Sequence, residues 1–419
     1  MAQTTTQTPP TGLRRWFTGD RVLWVIVAVL AVLSVLVVYS SIAKMAYDAQ
    51  TIRTTSQFLR QHLIILFFSL VIMVVVQRMN SRIYHRAARW VYYASLLLTV
   101  SVYFIGATTN GAARWIPLGP FNFQPSEALK VATVMFLAMQ LAARQTKIDK
   151  IRIVPSWRFW TWHTDRHQRR IWREGTYPIL VPVIAACAVI LPAHTSSSAL
   201  LFLATWVMML VGRVSGRELM KLIGWAFVGF LLLMALNLGR GETAEGRLST
   251  WVKLWVLPQD TKPIEDLTDT ERSMIAIHNG GVLGVGAGQS AMRVEMIHPE
   301  SDYAFAFFVE EYGALMAIAL MMLYLWIFFR AIEIFRRCGT AFPGLLVLGL
   351  ALMITCQAML HVMVTVNLIP ETGQTLPLIS RGGSSTLFTA IALGMILSVS
   401  RQNEEHSHDA PRSESMLEK

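Results

Sequence analysis

The sequence is short of cysteine and of charge. Its three cysteines, Cys187, Cys338 and Cys356, are widely spaced and form no CxxC pair, so no disulfide framework is expected. Only 15% of residues are charged, whereas 54% are hydrophobic. A soluble core cannot bury that much apolar sequence without leaving large apolar patches on the surface. An ordinary soluble enzyme is therefore excluded.

Acidic residues are scarce relative to basic ones, and the formal net charge is +11. In a soluble protein this balance would suggest nucleic acid, but the chain has no basic, aromatic-interleaved soluble domain. In a membrane protein, lysine and arginine instead mark topology and contact lipid headgroups. We therefore predict membrane lipids, and no nucleic acid, as partners.

The apolar residues form long uncharged runs. The first, Val22–Tyr39, contains 18 residues, follows Arg21, and lacks a small-residue cleavage site, which indicates an uncleaved anchor. Nine further runs follow, so we predict an all-α polytopic membrane protein with about ten transmembrane helices. The predicted spans are residues 22–43, 61–77, 90–107, 126–143, 177–193, 196–212, 222–238, 305–329, 343–368 and 385–400.

Lysine and arginine set the predicted orientation. With a cytoplasmic amino terminus, inside segments hold 25 of these residues and outside segments 11, which places both termini in the cytoplasm. We predict a cytoplasmic tail at 1–20, a transmembrane domain at 21–401, and a disordered cytoplasmic tail at 402–419. A large structured extracytoplasmic loop, 239–304, joins spans seven and eight and contains Trp251 and Trp255.

A glycine-rich stretch in this loop, GGVLGVGAG at 280–288, has the composition of a nucleotide-binding turn. Such a turn requires a preceding strand, a following helix and a parallel sheet. The stretch follows IAIHN in an outer loop instead. A flexible or closely packed backbone is the favoured interpretation.

A short outer segment reads NGAARWIPLGPFNFQPSEALK, residues 110–130. Pro125 suits the first position of a helix, and Glu127 and Lys130 then share one face. The two residues could form a self-neutralising structural pair, and Arg114 could be an interface anchor. Alternatively, Arg114 and Lys130 could face a cavity and bind a diphosphate. The residues alone leave both alternatives open.

Another outer segment, HPESDYAFAFFVEEYG at 298–313, places acidic residues at the start of the eighth apolar run. Asp302 could cap that helix, which would be a structural role. A carboxylate in a partly desolvated groove could instead accept a proton from a sugar hydroxyl. The physics of the sequence does not separate these two roles.

Three motifs together resemble the SEDS family (shape, elongation, division and sporulation) of bacterial peptidoglycan polymerases. They are the 110–130 segment, GVGAGQSAMRVEMIHPESDYAFAFFVEEYG at 284–313, and NLIPETGQTLPLISRGGSST at 367–386. The resemblance covers about residues 20–400. The form GQTLPLISRGGSS is more like the division branch, FtsW, than the elongation branch, RodA.

The resemblance implies an inverting peptidoglycan glycosyltransferase that joins lipid II disaccharide units and releases undecaprenyl diphosphate. Asp302 occupies the catalytic position, and Glu127 and Lys130 match residues that matter for function in the family. Substrate contacts are expected within the three motifs, from Arg114, Gln124, Ser126, Glu127, Lys130, Glu310, Ser384 and Ser385.

The resemblance also implies a location and partners. The active site would face the outside of the bacterial cytoplasmic (inner) membrane. A class B penicillin-binding protein would be the transpeptidase partner, alongside other division proteins. No cofactor or protein metal site is assigned, although a divalent cation, Mg or Mn, is a candidate at the diphosphate.

The chain departs from the family pattern at two places. Glu300-Ser301-Asp302 stands where many relatives have His-Thr-Asp, and Ala193 replaces the aspartate of a Pro-Asp-Leu-Gly-Thr motif. Alternative functions are a lipid II flippase or other transporter, an elongation polymerase, and a noncatalytic division scaffold. A transporter would place its ionisable groups near the midplane, whereas the distinctive ones here lie at the predicted outer face.

Overall fold

The computed structural model describes residues 18–41, 55–105, 107–109, 112–118, 121–146, 148, 166–235, 241–256, 267–296 and 301–417. Within these ranges the protein is mainly helical. The helices are α1 (Arg21–Ser41), α2 (Thr55–Arg78), α3 (Ser81–Ile105), α4 (Pro125–Ala142), α5 (Arg166–Ile171), α6 (Val181–Ile190), α7 (Thr195–Val211), α8 (Gly216–Ala235), α9 (Gly241–Val256), α10 (Asp269–Gly280), α11 (Met292–Glu295), α12 (Ala304–Arg336), α13 (Ala341–Thr365) and α14 (Gly383–Leu417). A π-helical segment, Trp172–Leu180, joins α5 to α6.

Seven helical segments in the described chain are long and apolar enough to cross a membrane. They are α1, α2, α3, the segment from Arg169 to Ile190, α12, α13 and α14. The other three predicted spans coincide with α4, α7 and α8, of which α7 is apolar but only 17 residues long. The protein is thus a multi-pass membrane protein, and the count of ten spans stays a prediction.

The outward faces of several helices are apolar. Val25 on α1, Phe67 on α2, Leu97 and Phe104 on α3, and Trp326 on α12 all have exposed side chains. Exposure of so continuous an apolar surface to water would be energetically unfavourable, whereas lipid chains solvate it without penalty. These faces therefore mark the lipid contact of the bundle.

The interior is organised around α13, which packs against α4, α7, α12 and α14. Most of its side chains are buried, including Leu346, Leu350 and Ile354. The final helix, α14, lies along α2 and inserts its own apolar side chains into the same core. This central pair of helices positions the segment that joins them, residues 366–382.

One end of the bundle, here called the Asp20 end, is closed by ionic contacts. Asp20 accepts hydrogen bonds from Val22 N and Leu23 N at the start of α1, at 2.9 and 3.1 Å. Its second oxygen accepts from Arg330 near the end of α12, with Nε at 2.8 Å. This contact satisfies orphan N–H groups of α1 and fixes α1 against α12.

The segment that follows the last apolar run, where a tail at 402–419 is predicted, begins as a continuation of α14. The helix α14 continues to Leu417. Asn403 donates from Nδ2 to Ile334 O at 3.1 Å, and Arg401 pairs with Glu405 one turn along. Contacts with a neighbouring helix and i,i+4 pairing extend the helix beyond its apolar part.

The opposite end, here called the Asp302 end, carries the three motifs. There, β1 (Ala107–Thr109), β2 (Ala112–Leu118) and β3 (Phe121–Phe123) form an antiparallel sheet in the order β1-β2-β3. Pro125 then starts α4 at its first turn, as predicted. Phe123 packs edge-on against Phe388, so the sheet lies beside the start of α14.

Candidate active site

Asp302 lies in the turn that leads into α12. The N-cap of α12 is the next residue, Tyr303, and this position has no side-chain cap bond. Asp302 is therefore not the N-cap residue that one of the two sequence interpretations required. Its side chain is half-buried.

The third motif wraps around this turn. Ser380 donates from Oγ to Ser301 O at 2.8 Å, while the same Oγ accepts from Leu376 N at 2.8 Å. Gly373 lies across from the carboxylate, because a Cβ added there would be 3.9 Å from Asp302 Oδ2. Ser380 thus holds the Asp302 turn, and Gly373 borders the carboxylate.

His361 on α13 clamps the same two segments together. Its Nε2 accepts from Phe305 N, in the first turn of α12, at 3.3 Å. Its Nδ1 lies 2.7 Å from Gln374 O and must donate, because a carbonyl can only accept. The contacts therefore select the neutral tautomer with the proton on Nδ1. The ring is buried, so the clamp is shielded from water.

His194 anchors the opposite side of the 371–375 loop. Its Nε2 lies 3.3 Å from Gly373 O. Gln374 donates from Nε2 to Ser197 Oγ at 2.7 Å and lies 3.2 Å from His194 Nδ1. His194 follows Ala193, the residue that replaces the family aspartate. Ser196 also donates to Thr372 O at 2.9 Å, so His194 and Ser196 together join this turn to the loop.

Lys130 is held inside the bundle. Its Nζ lies 2.8 Å from Glu127 Oε1 and donates to Gln357 Oε1 at 3.2 Å, and the residue is 1% exposed. Gln357 donates onward to Thr375 O at 3.0 Å, and Thr375 Oγ1 lies 2.9 Å from Ser385 Oγ. The predicted Glu127–Lys130 pair is present, but Lys130 does not face an open cavity. It connects the first motif to the third.

The remaining predicted substrate residues are distributed around this network. Gln124 is the N-cap of α4 and Ser126 lies in its first turn, and both are buried. Ser384 is also buried, and its Oγ has no hydrogen-bond partner among the described residues. Arg114 lies in β2 beside a register irregularity, but its side chain falls outside the described part of the chain, as does Glu300.

Glu310 is committed to a different cluster, beneath the glycine-rich stretch. It accepts from Ser290 Oγ and from Ala291 N, the latter at 3.2 Å. The adjacent Glu311 accepts from Ser40 Oγ and from Gly288 N, the latter at 2.8 Å. These bonds fix the loop on α12 and engage both oxygens of Glu310 with the loop.

The glycines allow this loop to lie directly on the backbone of α12. At Gly313 the helix is interrupted, with φ +83°, and the loop supplies replacement bonds such as Ala314 N to Gly281 O at 2.9 Å. A Cβ on Gly284 would lie 2.3 Å from Glu311 O. The stretch is therefore a closely packed structural strap, as favoured from the sequence, rather than a nucleotide turn.

Asp302 lies close enough to Glu371 for their charges to interact, and Asp269 also acts on Glu371. Burial raises the pKa of Glu371; Arg247 opposes this shift, and the charges of Asp302 and Asp269 reinforce it. Burial also raises the pKa of Tyr303. Among the described residues, no group of three or more His, Cys, Asp or Glu side chains is arranged to hold a metal ion. This end of the bundle thus combines a half-buried carboxylate with neighbouring like charge.

Sequence reasoning did not single out His194, His361, Gln357 or Glu371. The first three lie within or beside apolar spans, where a polar side chain is costly and is usually kept for a purpose. That signal was available in the sequence. The hydrogen-bond partners of these residues could not be predicted, because each contact joins distant parts of the chain.

The chain matches known proteins over nearly its whole length. The family model described as cell cycle protein, FtsW/RodA/SpoVE, matches residues 20–405. A probable peptidoglycan glycosyltransferase FtsW of Aliivibrio salmonicida is 27% identical over 86% of this chain and 84% of its own. Stage V sporulation protein E of Bacillus subtilis is 28% identical over 73% of this chain and 76% of its own.

Solved structures share the fold. One, from work entitled "Structural coordination of polymerization and crosslinking by a peptidoglycan synthase complex", matches with a TM-score of 0.66 at 22% identity, over 93% of this chain and 99% of that one. The crystal structure of the rod shape determining protein RodA of Thermus thermophilus matches with a TM-score of 0.61 at 22% identity over the same shares. With the three motifs assembled at one end of this fold, the resemblance found in the sequence is confirmed: the chain belongs to the FtsW/RodA/SpoVE family of cell cycle proteins.

Proposed function

We propose that this protein is a peptidoglycan polymerase that joins lipid II disaccharide units into glycan strands and releases undecaprenyl diphosphate. The observation that carries the proposal is the position of Asp302. Hydrogen bonds from α13 and from the third motif hold its turn at one end of an apolar helical bundle. A carboxylate there can reach a polar sugar head while the lipid tail lies along the apolar helices.

The proposed chemistry is an inverting glycosyl transfer. The Asp302 carboxylate accepts the proton of the GlcNAc 4-hydroxyl as that oxygen attacks the anomeric carbon of the donor sugar. The bond from that carbon to the diphosphate breaks, and the diphosphate leaves with the bonding electron pair. Cations stabilise this developing charge, and Arg114 and Lys130 are proposed for this role; Lys130 would have to exchange its bond to Gln357 for one to the diphosphate. Glu127 orients Lys130 through their ion pair.

A divalent cation, Mg or Mn, is proposed to assist at the diphosphate. Because the described residues form no cluster of three metal ligands, the diphosphate oxygens themselves would supply most of its ligands. Chelation should then slow polymerisation, and added Mg or Mn should restore it.

The proposed setting is the bacterial cytoplasmic membrane, crossed by ten spans, with both termini inside and the Asp302 end outside. The asymmetry of lysine and arginine supports this orientation. The names of the relatives support a role in division, since several carry the name FtsW. Lipid II, a class B penicillin-binding protein and other division proteins are the proposed partners.

The test is polymerisation by the purified full-length protein supplied with lipid II, with glycan chains resolved by gel electrophoresis. Wild type should produce chains, and Asp302→Asn should produce none while retaining expression, membrane insertion and thermal stability. Glu333→Gln, at the Asp20 end, is the matched control and should remain active. Chain formation by Asp302→Asn at the wild-type rate would contradict the general-base role.

A further inference from the structure

A cleft of about 350 Å³ lies at the Asp302 end of the bundle and has no role in the mechanism above. It opens between α9, the start of α10 and the segment 366–371. Its walls include Arg247, Trp251, Asp269, Thr270, Asn367 and Glu371. The volume is in the range of small-molecule sites, which combine apolar walls with a few placed polar groups.

The cleft is connected to the reacting centre on two sides. Thr270 Oγ1 lies 3.1 Å from the hydroxyl of Tyr303, the residue that follows Asp302. Glu371 lies two residues from Gly373, which faces the Asp302 carboxylate, and the charges of Glu371 and Asp302 interact. A molecule in the cleft would therefore contact residues that are joined to the segments on both sides of Asp302.

Asn367 gives an independent sign of a ligand. Its side chain lines the cleft and is 4% exposed, yet Oδ1 has no hydrogen-bond partner among the described residues. A buried acceptor left unpaired is costly, so a donor is expected to fill this position when the site is occupied. Asn367 lies just beyond α13 with φ +56°, a backbone conformation that asparagine adopts more readily than most residues.

The tryptophans of the large loop are fixed by the same residue. Trp251 and Trp255 both donate from Nε1 to Asn367 O, at 3.0 and 3.1 Å. Each ring is thereby held against the segment that leads to Gly373. A rigid indole at the wall of a polar cleft provides an apolar surface on which a sugar ring can pack.

The charge of the cleft selects among ligands. Asp269 is bridged to Arg272, with Oδ1 and Nη1 3.2 Å apart, and Arg247 donates to Glu371 O at 3.2 Å while its charge acts on the Glu371 carboxylate. The cleft therefore has no surplus of positive charge with which to hold a diphosphate. It favours a neutral molecule with several O–H and N–H donors, because each carboxylate, hydroxyl and amide oxygen here can accept.

We propose that this cleft binds the N-acetylated amino sugar of the acceptor substrate, with Trp251 against the ring, Asp269 and Glu371 accepting hydrogen bonds from hydroxyls, and Asn367 Oδ1 accepting one from the N-acetyl N–H. The inference rests on the proposed polymerase function and specifies where its acceptor lies. Binding there fixes the reacting hydroxyl beside Asp302.

The test measures binding separately from turnover. Full-length protein is titrated with the lipid-free GlcNAc–MurNAc disaccharide, and binding is followed by tryptophan fluorescence and calorimetry. Wild type and Asp302→Asn should bind alike. Glu371→Gln and Trp251→Phe should each weaken binding about tenfold, which corresponds to the loss of one charge-assisted contact or of ring packing. Trp326→Phe, on the lipid-facing side of α12, is the matched control and should leave binding unchanged.

The outcomes separate the two proposals. Equal binding by all variants would overturn the cleft assignment, even if wild type polymerises lipid II. Cleft-dependent binding by a protein that never polymerises would keep the sugar site and overturn the polymerase. Binding of the free pentapeptide in place of the disaccharide, with the same sensitivity to Glu371→Gln, would also overturn the sugar assignment. Undecaprenyl phosphate, which has the lipid and charge but no sugar, should not alter the fluorescence of Trp251.

Discussion

Lys130 and Gln357 are joined by a hydrogen bond of 3.2 Å from Nζ to Oε1, across the contact between α4 and α13. Gln357 in turn donates from Nε2 to the backbone oxygen of Thr375, in the loop that borders Asp302. A cation near the start of one helix is thus tied to the loop that borders the proposed base. The arrangement gives Lys130 a structural role in addition to any contact with substrate.

The ion pair of Glu127 and Lys130 can be tested by removing its charges singly and together. Glu127→Gln or Lys130→Met alone leaves a buried unpaired charge and should cost about 3–5 kcal/mol of stability. The double variant should recover much of that loss but should remain unable to polymerise lipid II. Thermal unfolding and polymerisation of all three variants decide this. A fully active double variant would show that the pair is structural only.

The His361 clamp should matter for positioning. His361→Leu leaves Phe305 N and Gln374 O unsatisfied, at about 1–3 kcal/mol each. We expect kcat to fall more than KM changes, because the turn that carries Asp302 loosens while the sugar site remains. His361→Gln, which can replace one of the two bonds, should partly restore kcat. A wild-type kcat for His361→Leu would rule out a positioning role.

The glycine strap predicts a contrast between two alanine variants. At Gly284, with φ +82°, the added methyl group would lie 2.3 Å from Glu311 O, so overpacking of about 1–3 kcal/mol adds to backbone strain. At Gly288, with φ +76°, no atom lies within 4 Å of the added group. Gly288→Ala should therefore cost only the strain, about 1–2 kcal/mol. Unfolding midpoints of the two variants should differ, and equal midpoints would argue against close packing of the strap.

Glu371 should make stability depend on pH. Burial raises its pKa above the ordinary value of 4.5, so ionisation is less favourable in the folded protein than in the unfolded chain. The fold then loses stability as the pH rises from 4.5 through the raised pKa, and the penalty is complete above it. Glu371→Gln removes this penalty. Its unfolding temperature should exceed that of wild type at pH 7, and the difference should shrink towards pH 4.5; a constant difference would contradict the shift.

The proposed transpeptidase partner should dock on α12. Among the methionines that the sequence places on spans eight and nine, Met316 and Met322 are exposed, whereas Met353 is buried. Methionine adapts well to a partner surface. A photocrosslinking residue at Met322 should capture a class B penicillin-binding protein in native membranes, and one at Leu97, exposed on α3, should not. Capture at both positions, or at neither, would exclude this surface.

How much of the site could be predicted from sequence differs from residue to residue. Asp302, Glu127 and Lys130 were found because their motifs are long and local. The burial of Lys130 could not be predicted from the sequence. Its partner Gln357 lies 227 positions away, and only the packing of α4 on α13 brings the two residues together. Glu310 was predicted to contact substrate because of its motif. In the structure its carboxylate accepts hydrogen bonds from Ser290 and from the backbone of the strap. Motif membership identifies a residue as important without distinguishing a substrate contact from a support.

That the chain spans a membrane, where most spans lie, and to which family it belongs could all be read from the amino-acid sequence. These properties follow from local composition, because an apolar run of sufficient length satisfies its own backbone hydrogen bonds as a helix in lipid. Helix packing, in contrast, is what brings His361, His194 and Gln374 together around the loop near Asp302, and what places Trp251 at a cleft at the same end of the bundle. The bond from His194 to Gly373 spans 179 positions, and no local pattern encodes a contact that depends on how separate helices pack.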